Sequence, residues 1–512
     1  MRDKPSLWLP LALAALVVVA AGKPPVVDEE SYLHIAAQIA DHPLRPYDWW
    51  RRWQPWGAER TADAFLYAHP PLHLWWVSLC QSIAPMGWGL RLLAGLPPAL
   101  LLGWSAGRIL ERSAGPRAVS ASALLWLGAP VLIIATQSGL MIDLGAAALT
   151  TAAAAAWLSG RRGAGLAAGA LLGLAGLYKY PSLVLAGAIL WDAGLRKRWR
   201  EAGLAAAAFA AVWGAVELYL AAVYGRLHLP YVLATALEIA RGPMPGRATG
   251  VLLRLGLITS PLLLLGAPGR LAWGVAGALA GVFGTWGAVD GAGGAALAGV
   301  LGAGGGLGIG LAVGAARRRG EEGFLGMWAL LVAAGVIIGH NYASARYLLP
   351  AALPLAALGA RAAARARWVA PVAALSWGLL GVSLGYAEHR QAAATEALAA
   401  AAIERHPAGR FTGEWTLRWA LSEGGWTFWV PGEPLEEGAV FAAPRHASPA
   451  PIPAGLTPLE VLESPDRFPL RLIDLERGVG YHAETLGALP FGWSREPLEV
   501  LTLYQNSESV ID

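Results

Sequence analysis

The stretch PLHLWWVSLCQSIAP, residues 71–85, decides how this chain is threaded through a membrane. It is apolar, but it has only 15 residues and contains one histidine, two serines and one glutamine. Its first residue, Pro71, directly follows another proline, Pro70. A helix that crosses about 30 Å of hydrocarbon needs about 20 consecutive apolar residues. The short length and the polar side chains therefore predict a helix that lies at the membrane interface, or re-enters, without crossing.

Basic loops test this prediction, because arginine and lysine collect on the cytoplasmic side of membrane proteins. If residues 71–85 do not cross, the loops RILERSAGPR, SGRRG, RKRWRE, PGR, ARRRG and RAAARAR all lie in the cytoplasm. If these residues do cross, every one of the loops lies outside. The rule therefore predicts about thirteen spans, with the N-terminus in the cytoplasm and the C-terminus outside. The predicted spans are 6–22, 88–110, 117–136, 143–159, 164–178, 181–195, 202–224, 251–268, 271–289, 294–316, 323–339, 346–360 and 368–386.

The composition indicates a membrane protein that crosses the bilayer many times. Of 512 residues, 56% are hydrophobic and 14% are charged, and the mean hydropathy is +0.47. The net charge of +4 comes from arginines in short loops, which indicates topology rather than nucleic-acid binding. High usage of Ala, Gly and Arg is typical of a GC-rich prokaryotic genome, so we expect a bacterial inner (plasma) membrane. The first 22 residues are also compatible with a cleavable signal peptide.

The chain divides into a membrane part and a smaller part outside. Residues 1–387 carry the predicted spans, and residues 23–87 form a first outer loop that is acidic and contains interfacial helices. Helical hydrophobicity stops near residue 387. Residues 388–512 have a helical pattern near 390–405 and strand-like runs GAVFAAP, RLIDLE and LEVLTLY. The sequence therefore predicts a mostly α membrane protein with a small outer α/β domain at residues 388–512.

Three consecutive acids, Asp28, Glu29 and Glu30, follow the first apolar run. They are compatible with a solvated loop, or with the first turn of a helix whose dipole favours negative charge. A carboxylate held at the membrane boundary is alternatively a general base for an acceptor hydroxyl or amine. Spacing alone leaves both interpretations open.

Several further ionisable residues are predicted near the outer boundary, where burial makes charge costly and function is the default hypothesis. Lys179, between two tyrosines in GLYKYPS, either snorkels to the interface or neutralises a phosphate. Arg91, Arg254 and Arg346 are outer cations that need an anion or a carboxylate partner. Asp143 either caps the following helix or is functional.

The run YAHPPLHLWW places His69 next to two prolines at the start of a helix. Free N–H groups at such a helix start favour an anion such as phosphate. The alternative is an ordinary surface histidine beside a proline-initiated interfacial helix.

Taken together and in order, these stretches resemble the GT-C membrane glycosyltransferases over about residues 1–360. The group that they resemble most is that of the protein O-mannosyltransferases and the bacterial lipid A aminoarabinose transferases. The matching motifs are DEESY, HPPL, LRLLAG, MIDLGAAALT, LGLAGLYKYP and RYLLPAALPLAAL.

The resemblance implies transfer of one sugar, with inversion, from a polyprenyl phosphate donor at the outer face. It implies that Asp28 is the catalytic base, with Glu29 and Asp143 as further acidic positions. The donor phosphate would be held by Lys179 and Arg346, together with His69, Arg91 and Tyr347. Further candidates are Tyr32, His340 and Asn341.

Other features limit the prediction. Ala68 precedes His69, so a metal-ligating group at that place is absent, and no cofactor is predicted. A divalent metal is compatible with this chemistry, but the spacing of the outer histidines does not support one. The chain lacks a Trp-Trp-Asp triplet in its C-terminal part, which argues against en bloc glycan transfer to asparagine. The acceptor is a lipid, a glycan or a protein, and the sequence does not choose between them.

The alternative is a transporter or flippase of a lipid-linked sugar that performs no chemistry. Such proteins are built from inverted repeats with broken helices near mid-membrane. The sequence has no such symmetry, and its polar residues gather on one face. A third alternative is a binding or assembly protein whose outer domain is the functional part.

Overall fold

The computed structural model describes residues 4–51, 64–66, 69–84, 87–115, 118–239, 244–289 and 291–506. Helices dominate, and strands occur only in the C-terminal part of the described chain, as the sequence predicts. The α-helices are α1 (Pro5–Val19), α2 (Glu29–Asp41), α3 (Pro71–Ile83), α4 (Trp88–Ser113), α5 (Val119–Leu127), α6 (Pro130–Gln137), α7 (Ile142–Ser159), α8 (Ala164–Tyr178), α9 (Val184–Arg196), α10 (Trp199–Tyr224), α11 (His228–Ile239), α12 (Met244–Leu255), α13 (Leu271–Gly284), α14 (Gly291–Ala316), α15 (Glu321–Gly339), α16 (Leu349–Ala362), α17 (Val369–Arg405) and α18 (Trp415–Glu423).

Six of these helices are long and apolar enough to cross a membrane within the described chain, namely α4, α7, α10, α14, α15 and α17. A seventh span results if α5 and α6, which meet at 57°, are one broken span. Helices α1 and α8 are apolar but shorter. The predicted count of about thirteen spans is therefore not confirmed, because several predicted spans form short or interrupted helices.

Two interruptions have identifiable causes. Between α5 and α6, Pro130 starts a new helix, and Gly128 lies against the backbone of Ala374 in α17, where a side chain would collide with the carbonyl. The predicted span 251–268 becomes the end of α12 followed by the 3-10 helix Pro261–Gly266. In both places a proline begins the second piece, where its missing N–H costs least.

The short stretch that decides the threading forms α3, a helix of 13 residues. One face buries Val77 and Cys80 against α2 and α4, and Leu74 packs in a second cluster that also includes α2, while Leu79 and Ile83 are exposed. An amphipathic helix of this length fits an interfacial position better than a span.

Long helix α17 joins the membrane part to the C-terminal part. Its 37 residues continue across residue 387, where the sequence predicted a domain boundary. At 1.5 Å per residue the helix is about 55 Å long, well beyond the thickness of the hydrocarbon.

The C-terminal part contains a five-stranded mixed sheet beside α18. The strands are β1 (Arg410–Phe411), β2 (Thr427–Phe428), β3 (Val440–Pro444), β4 (Leu456–Glu463), β5 (Leu470–Arg471), β6 (Ile473–Asp474), β7 (Val479–Gly480), β8 (Gly492–Trp493) and β9 (Val500–Asn506). The order in the five-stranded sheet is β2-β1-β3-β9-β4, in which β1 is parallel to β2 and β3, and β9 is antiparallel to β3 and β4. Leu398 of α17 packs with Phe411, Leu501 and Leu503 in the core between the helices and this sheet.

Candidate active site

Asp28 lies at the N-cap position of α2, but its carboxylate does not cap the helix. It pairs instead with Arg346, whose Nη2 lies 2.6 Å from Oδ2 of Asp28. The preceding residue, Val27, has a φ of 43°, which is strained for a β-branched residue. Val27 is held there by packing against Ala392 and Ile473. The backbone therefore aims the Asp28 carboxylate away from its own helix.

Asp143 and Lys179 form a second ion pair next to the first. Asp143 lies in the first turn of α7, and Lys179 directly follows the end of α8. Tyr178 packs over Gly145, where any larger side chain would collide with the tyrosine ring. The glycine thus lets the end of α8 approach α7 closely enough for Lys179 to reach Asp143.

Arg346 connects the two pairs, since its Nη1 lies 4.0 Å from Oδ2 of Asp143. We call Asp28, Asp143, Lys179 and Arg346 the charge tetrad. The side chain of Asp28 is 30% exposed, whereas those of the other three are at most 8% exposed. Within the described chain, Nε of Arg346 and Oδ2 of Asp143 are buried and have no hydrogen-bond partner. The tetrad therefore keeps donor and acceptor capacity for a ligand.

Burial and neighbouring charges shift the pKa values of Asp28 and Lys179 in opposite directions. Burial by itself raises the pKa of Asp28, but Arg346 outweighs it and holds that pKa below 3.8. Burial lowers the pKa of Lys179, and Asp143 opposes that shift. Asp28 is therefore ionised at neutral pH, and each charge depends on its partner.

Aromatic rings orient the two cations. Nζ of Lys179 lies 4.3 Å from the centre of the Tyr347 ring, and the Arg346 guanidinium lies 5.5 Å from it. The His340 ring stacks on the same Tyr347 ring, with the two ring centres 4.2 Å apart. The Tyr347 hydroxyl donates a hydrogen bond of 2.8 Å to Tyr342, a residue that the sequence did not indicate.

The remaining candidates of the first loop lie beside this group. Tyr32 OH is 3.4 Å from Nε2 of His69, and the Tyr32 ring contacts His73 edge-on. Burial, reinforced by Lys179, lowers the pKa values of His69 and His340 to about 3. Both imidazoles are therefore neutral at pH 7 and act as hydrogen-bonding groups. Asn341, a further candidate from the sequence, is exposed in the same loop as His340.

Glu29 and Arg91 are not brought into the tetrad but pair with each other. Nη2 of Arg91 lies 2.8 Å from Oε2 of Glu29 and 2.9 Å from the Pro24 carbonyl oxygen. Glu29 is completely buried and accepts hydrogen bonds from the backbone of Val26 and Leu140. These contacts fix the loop that carries Asp28, so both residues have a structural place in the site.

The C-terminal part also holds the site in place, through contacts that no sequence pattern indicates. Ala345, next to Arg346, donates its N–H to the Tyr481 carbonyl oxygen at 3.3 Å. Glu484 accepts the N–H of Ala343 in the same loop. Residues far along the chain therefore determine where Arg346 lies, and only tertiary folding reveals them.

A second buried network connects the chain just before Val27 with α17 and the C-terminal part. Lys23 pairs with Glu388 of α17, and Glu388 also accepts from His482, with a distance of 2.9 Å to Nε2. Arg254, an outer cation in the sequence, donates to the carbonyl oxygen of Gly480. The cation therefore finds its acceptor in the backbone of the C-terminal part.

Within the described residues, no group of three or more His, Cys, Asp or Glu side chains is arranged to hold a metal ion. The arrangement instead allows two kinds of chemistry. An anion can bind Lys179 and Arg346, which together carry two positive charges. An acceptor group can give a proton to Asp28, the most accessible carboxylate of the tetrad.

No protein-family model matches the chain, and no curated protein matches it. Two solved structures are similar in shape, both of ArnT from Cupriavidus metallidurans. The apo form has a TM-score of 0.39 and 17% identity, with 81% of this chain and 84% of that chain covered. The form bound to undecaprenyl phosphate has a TM-score of 0.39 and 16% identity, with 85% and 92% covered.

Proposed function

We propose that this chain is an inverting glycosyltransferase that moves one sugar from a polyprenyl phosphate donor to an acceptor. The reaction takes place at the outer face of the bacterial inner (plasma) membrane, with the N-terminus in the cytoplasm. One observation carries the proposal: Asp28, which is accessible, shares Arg346 with a buried pair of Asp143 and Lys179. The donor class follows from the motif resemblance.

Lys179 and Arg346 are the groups that hold the donor phosphate. Arg346 has five N–H donors, so it can keep Asp28 while Nε, which has no partner within the described chain, takes a phosphate oxygen. Both cations are buried, and a buried charge interacts with phosphate more strongly than one in water. Both cations lie near the Tyr347 ring, at 4.3 Å and 5.5 Å from its centre.

Asp28 is the base of the transfer step. The acceptor oxygen or nitrogen attacks the anomeric carbon on the face opposite the phosphate and gives its proton to Asp28. The bond between that carbon and the phosphate oxygen breaks, and its electron pair stays on the phosphate. Lys179 and Arg346 stabilise this growing negative charge. One displacement inverts the anomeric centre, and free polyprenyl phosphate is the second product.

The ion pair of Asp28 with Arg346 also suits a site in which donor binding increases the basicity of Asp28. A phosphate on Arg346 weakens the attraction that keeps the pKa of Asp28 low. Asp28 therefore becomes a stronger base when the donor is present, because burial then acts with less opposition. The acceptor is a lipid, a glycan or a protein.

The experiment is a donor assay with the purified protein and a panel of radiolabelled polyprenyl phosphate sugars, with a cell-envelope extract as the source of acceptors. We expect one donor to be consumed, with release of polyprenyl phosphate and inverted configuration in the product. Lys179→Met should lower donor affinity, and Lys197→Met, which changes an exposed lysine, is the control. Retention of configuration would contradict a single displacement. Full donor affinity of Lys179→Met would remove Lys179 from the site.

A further inference from the structure

A cavity of about 650 Å³ lies between α14, α15 and α16 and is lined by four arginines, Arg270, Arg318, Arg361 and Arg365. We call it the arginine pocket. It lies at the opposite end of α15 and α16 from the charge tetrad. Helix α15 begins at Glu321 beside the pocket, and its 19 residues end next to His340. That length is about 28 Å, close to the thickness of the hydrocarbon layer.

The charges in this pocket are not balanced. Glu322 pairs with Arg318 at 2.6 Å and also with Arg361. No ion pair of Arg270 or Arg365 with a carboxylate occurs among the residues that the structure describes. Four guanidinium groups therefore share one carboxylate. Such an excess at a membrane boundary calls for an anion, because like charges that converge on one cavity repel each other.

Arg270 reaches the pocket over α14. Its guanidinium lies against Gly314, whose missing side chain leaves room for it. Arg361 and Arg365 come from the end of α16 and the turn that follows, and Arg318 comes from the turn after α14. Arginines from separate elements thus line one space, with Arg318 and Arg365 exposed at its mouth and Arg270 and Arg361 half-buried.

The other wall of the pocket is apolar. Leu265, Leu311 and Leu358 line it, and Leu265 is 62% exposed. An anion that also carries a hydrocarbon chain would satisfy both walls, whereas a free anion would leave the leucines against water. Basic pockets between membrane helices on the cytoplasmic side suit anionic lipid headgroups.

We propose that the arginine pocket binds the phosphate headgroup of an anionic phospholipid from the membrane leaflet that the basic loops predict to be cytoplasmic. The headgroup phosphate contacts Arg270 and Arg365, and an acyl chain runs along Leu265 into the bilayer. The site is separate from the charge tetrad and does not depend on the transferase function.

The test is lipid binding by the full-length protein in a neutral detergent, followed by native mass spectrometry and by the thermal unfolding midpoint. Phosphatidylglycerol and phosphatidylcholine with the same acyl chains are titrated separately, and inorganic phosphate forms a third series. We expect phosphatidylglycerol to bind and to raise the midpoint, with little effect of phosphatidylcholine or of inorganic phosphate. Equal effects of the two lipids, or full protection by inorganic phosphate, would overturn the proposal.

Variants locate the site. Arg270→Gln together with Arg365→Gln should weaken phosphatidylglycerol binding about 30-fold, since each arginine near anionic lipid contributes about a factor of 5. Arg162→Gln with Arg200→Gln is the matched control, because both are exposed arginines of other basic loops. If the first double variant does not fold, Arg365→Gln alone changes an exposed turn residue and should weaken binding about 5-fold. An equal loss in the control variant would refute a specific pocket.

Discussion

The buried pair of Lys179 and Asp143 gives a prediction whose size follows from the structure. The Asp143 side chain is 3% exposed, and its second cation, Arg346, is 4.0 Å away and already holds Asp28 at 2.6 Å. Lys179→Met therefore leaves a buried carboxylate that is poorly compensated. We expect the free energy of unfolding to fall by about 3–5 kcal/mol, the usual cost of breaking a buried pair.

The second half of this prediction separates stability from function. Adding Asp143→Asn to Lys179→Met removes the orphaned charge, so the double variant should be more stable than the sum of the single changes predicts, by about 1–3 kcal/mol. Donor affinity should not return, because the cation that holds the phosphate is still missing. Stability and donor affinity are therefore expected to diverge in one variant.

The assay is chemical unfolding of the purified protein in detergent, followed by tryptophan fluorescence, beside donor binding. Arg108→Met is the control, because Arg108 pairs with Glu111 at 3.0 Å while being 48% exposed. That change should cost less than about 1 kcal/mol. If Lys179→Met costs no more than Arg108→Met, or if the two changes at the buried pair add without coupling, the account of this pair is wrong.

Three further predictions concern the loops around the tetrad. Arg346 holds the pKa of Asp28 below 3.8, so Asp28→Asn should be less stable than the wild type at pH 7, and this difference should vanish as the pH falls through the native pKa. Glu29→Gln weakens the buried pair with Arg91 and should lower the unfolding midpoint, while the turnover of the molecules that remain folded stays close to wild type. His340 is neutral in the folded protein down to about pH 3, so below pH 6.5 the wild type should lose stability relative to His340→Asn, by at most about 1.4 kcal/mol per pH unit. Unfolding midpoints across pH check the first and third, and turnover normalised to folded protein checks the second.

The sequence predicted the helical framework well where apolar length and charge decide the outcome. Within the stretch 71–85, Pro71–Ile83 form a helix of 13 residues, short for a span, as the polar side chains indicate. The number of spans was less predictable, because the mean hydropathy of a window of residues does not show where a helix is interrupted. Gly128 and Pro130 bend one predicted span through a contact with Ala374, a residue far along the chain.

At the site, the sequence could indicate residues but not their partners. Asp28, Asp143, Lys179 and Arg346 were all proposed, and folding brings them together. Arg91 was assigned to the donor phosphate in the sequence prediction, yet it lies against Glu29. Arg91 and Arg346 are both predicted outer cations, and only the packing of α4 against the first loop shows that Arg91 lies outside the tetrad.

The C-terminal contribution was outside the reach of sequence patterns. The Tyr481 carbonyl oxygen accepts the N–H of Ala345, and the Glu484 N–H donates to the Ala343 carbonyl oxygen, through contacts that span more than 130 residues of chain. Backbone acceptors and donors of this kind carry no motif, because any residue type supplies the same carbonyl or N–H group.

The central claim is that Asp28 is the base of a transfer reaction, and one comparison tests it most directly. Donor dissociation constants and the release of polyprenyl phosphate are measured for the wild type, Asp28→Asn and Asp41→Asn, an exposed residue at the far end of the same helix. We expect Asp28→Asn to bind donor at least as tightly as the wild type, since Arg346 loses a competing carboxylate, while turnover falls about 100-fold to 10,000-fold. Asp41→Asn should match the wild type in both measurements. Undiminished turnover of Asp28→Asn, or lipid movement across the bilayer without consumption of donor, would contradict the claim.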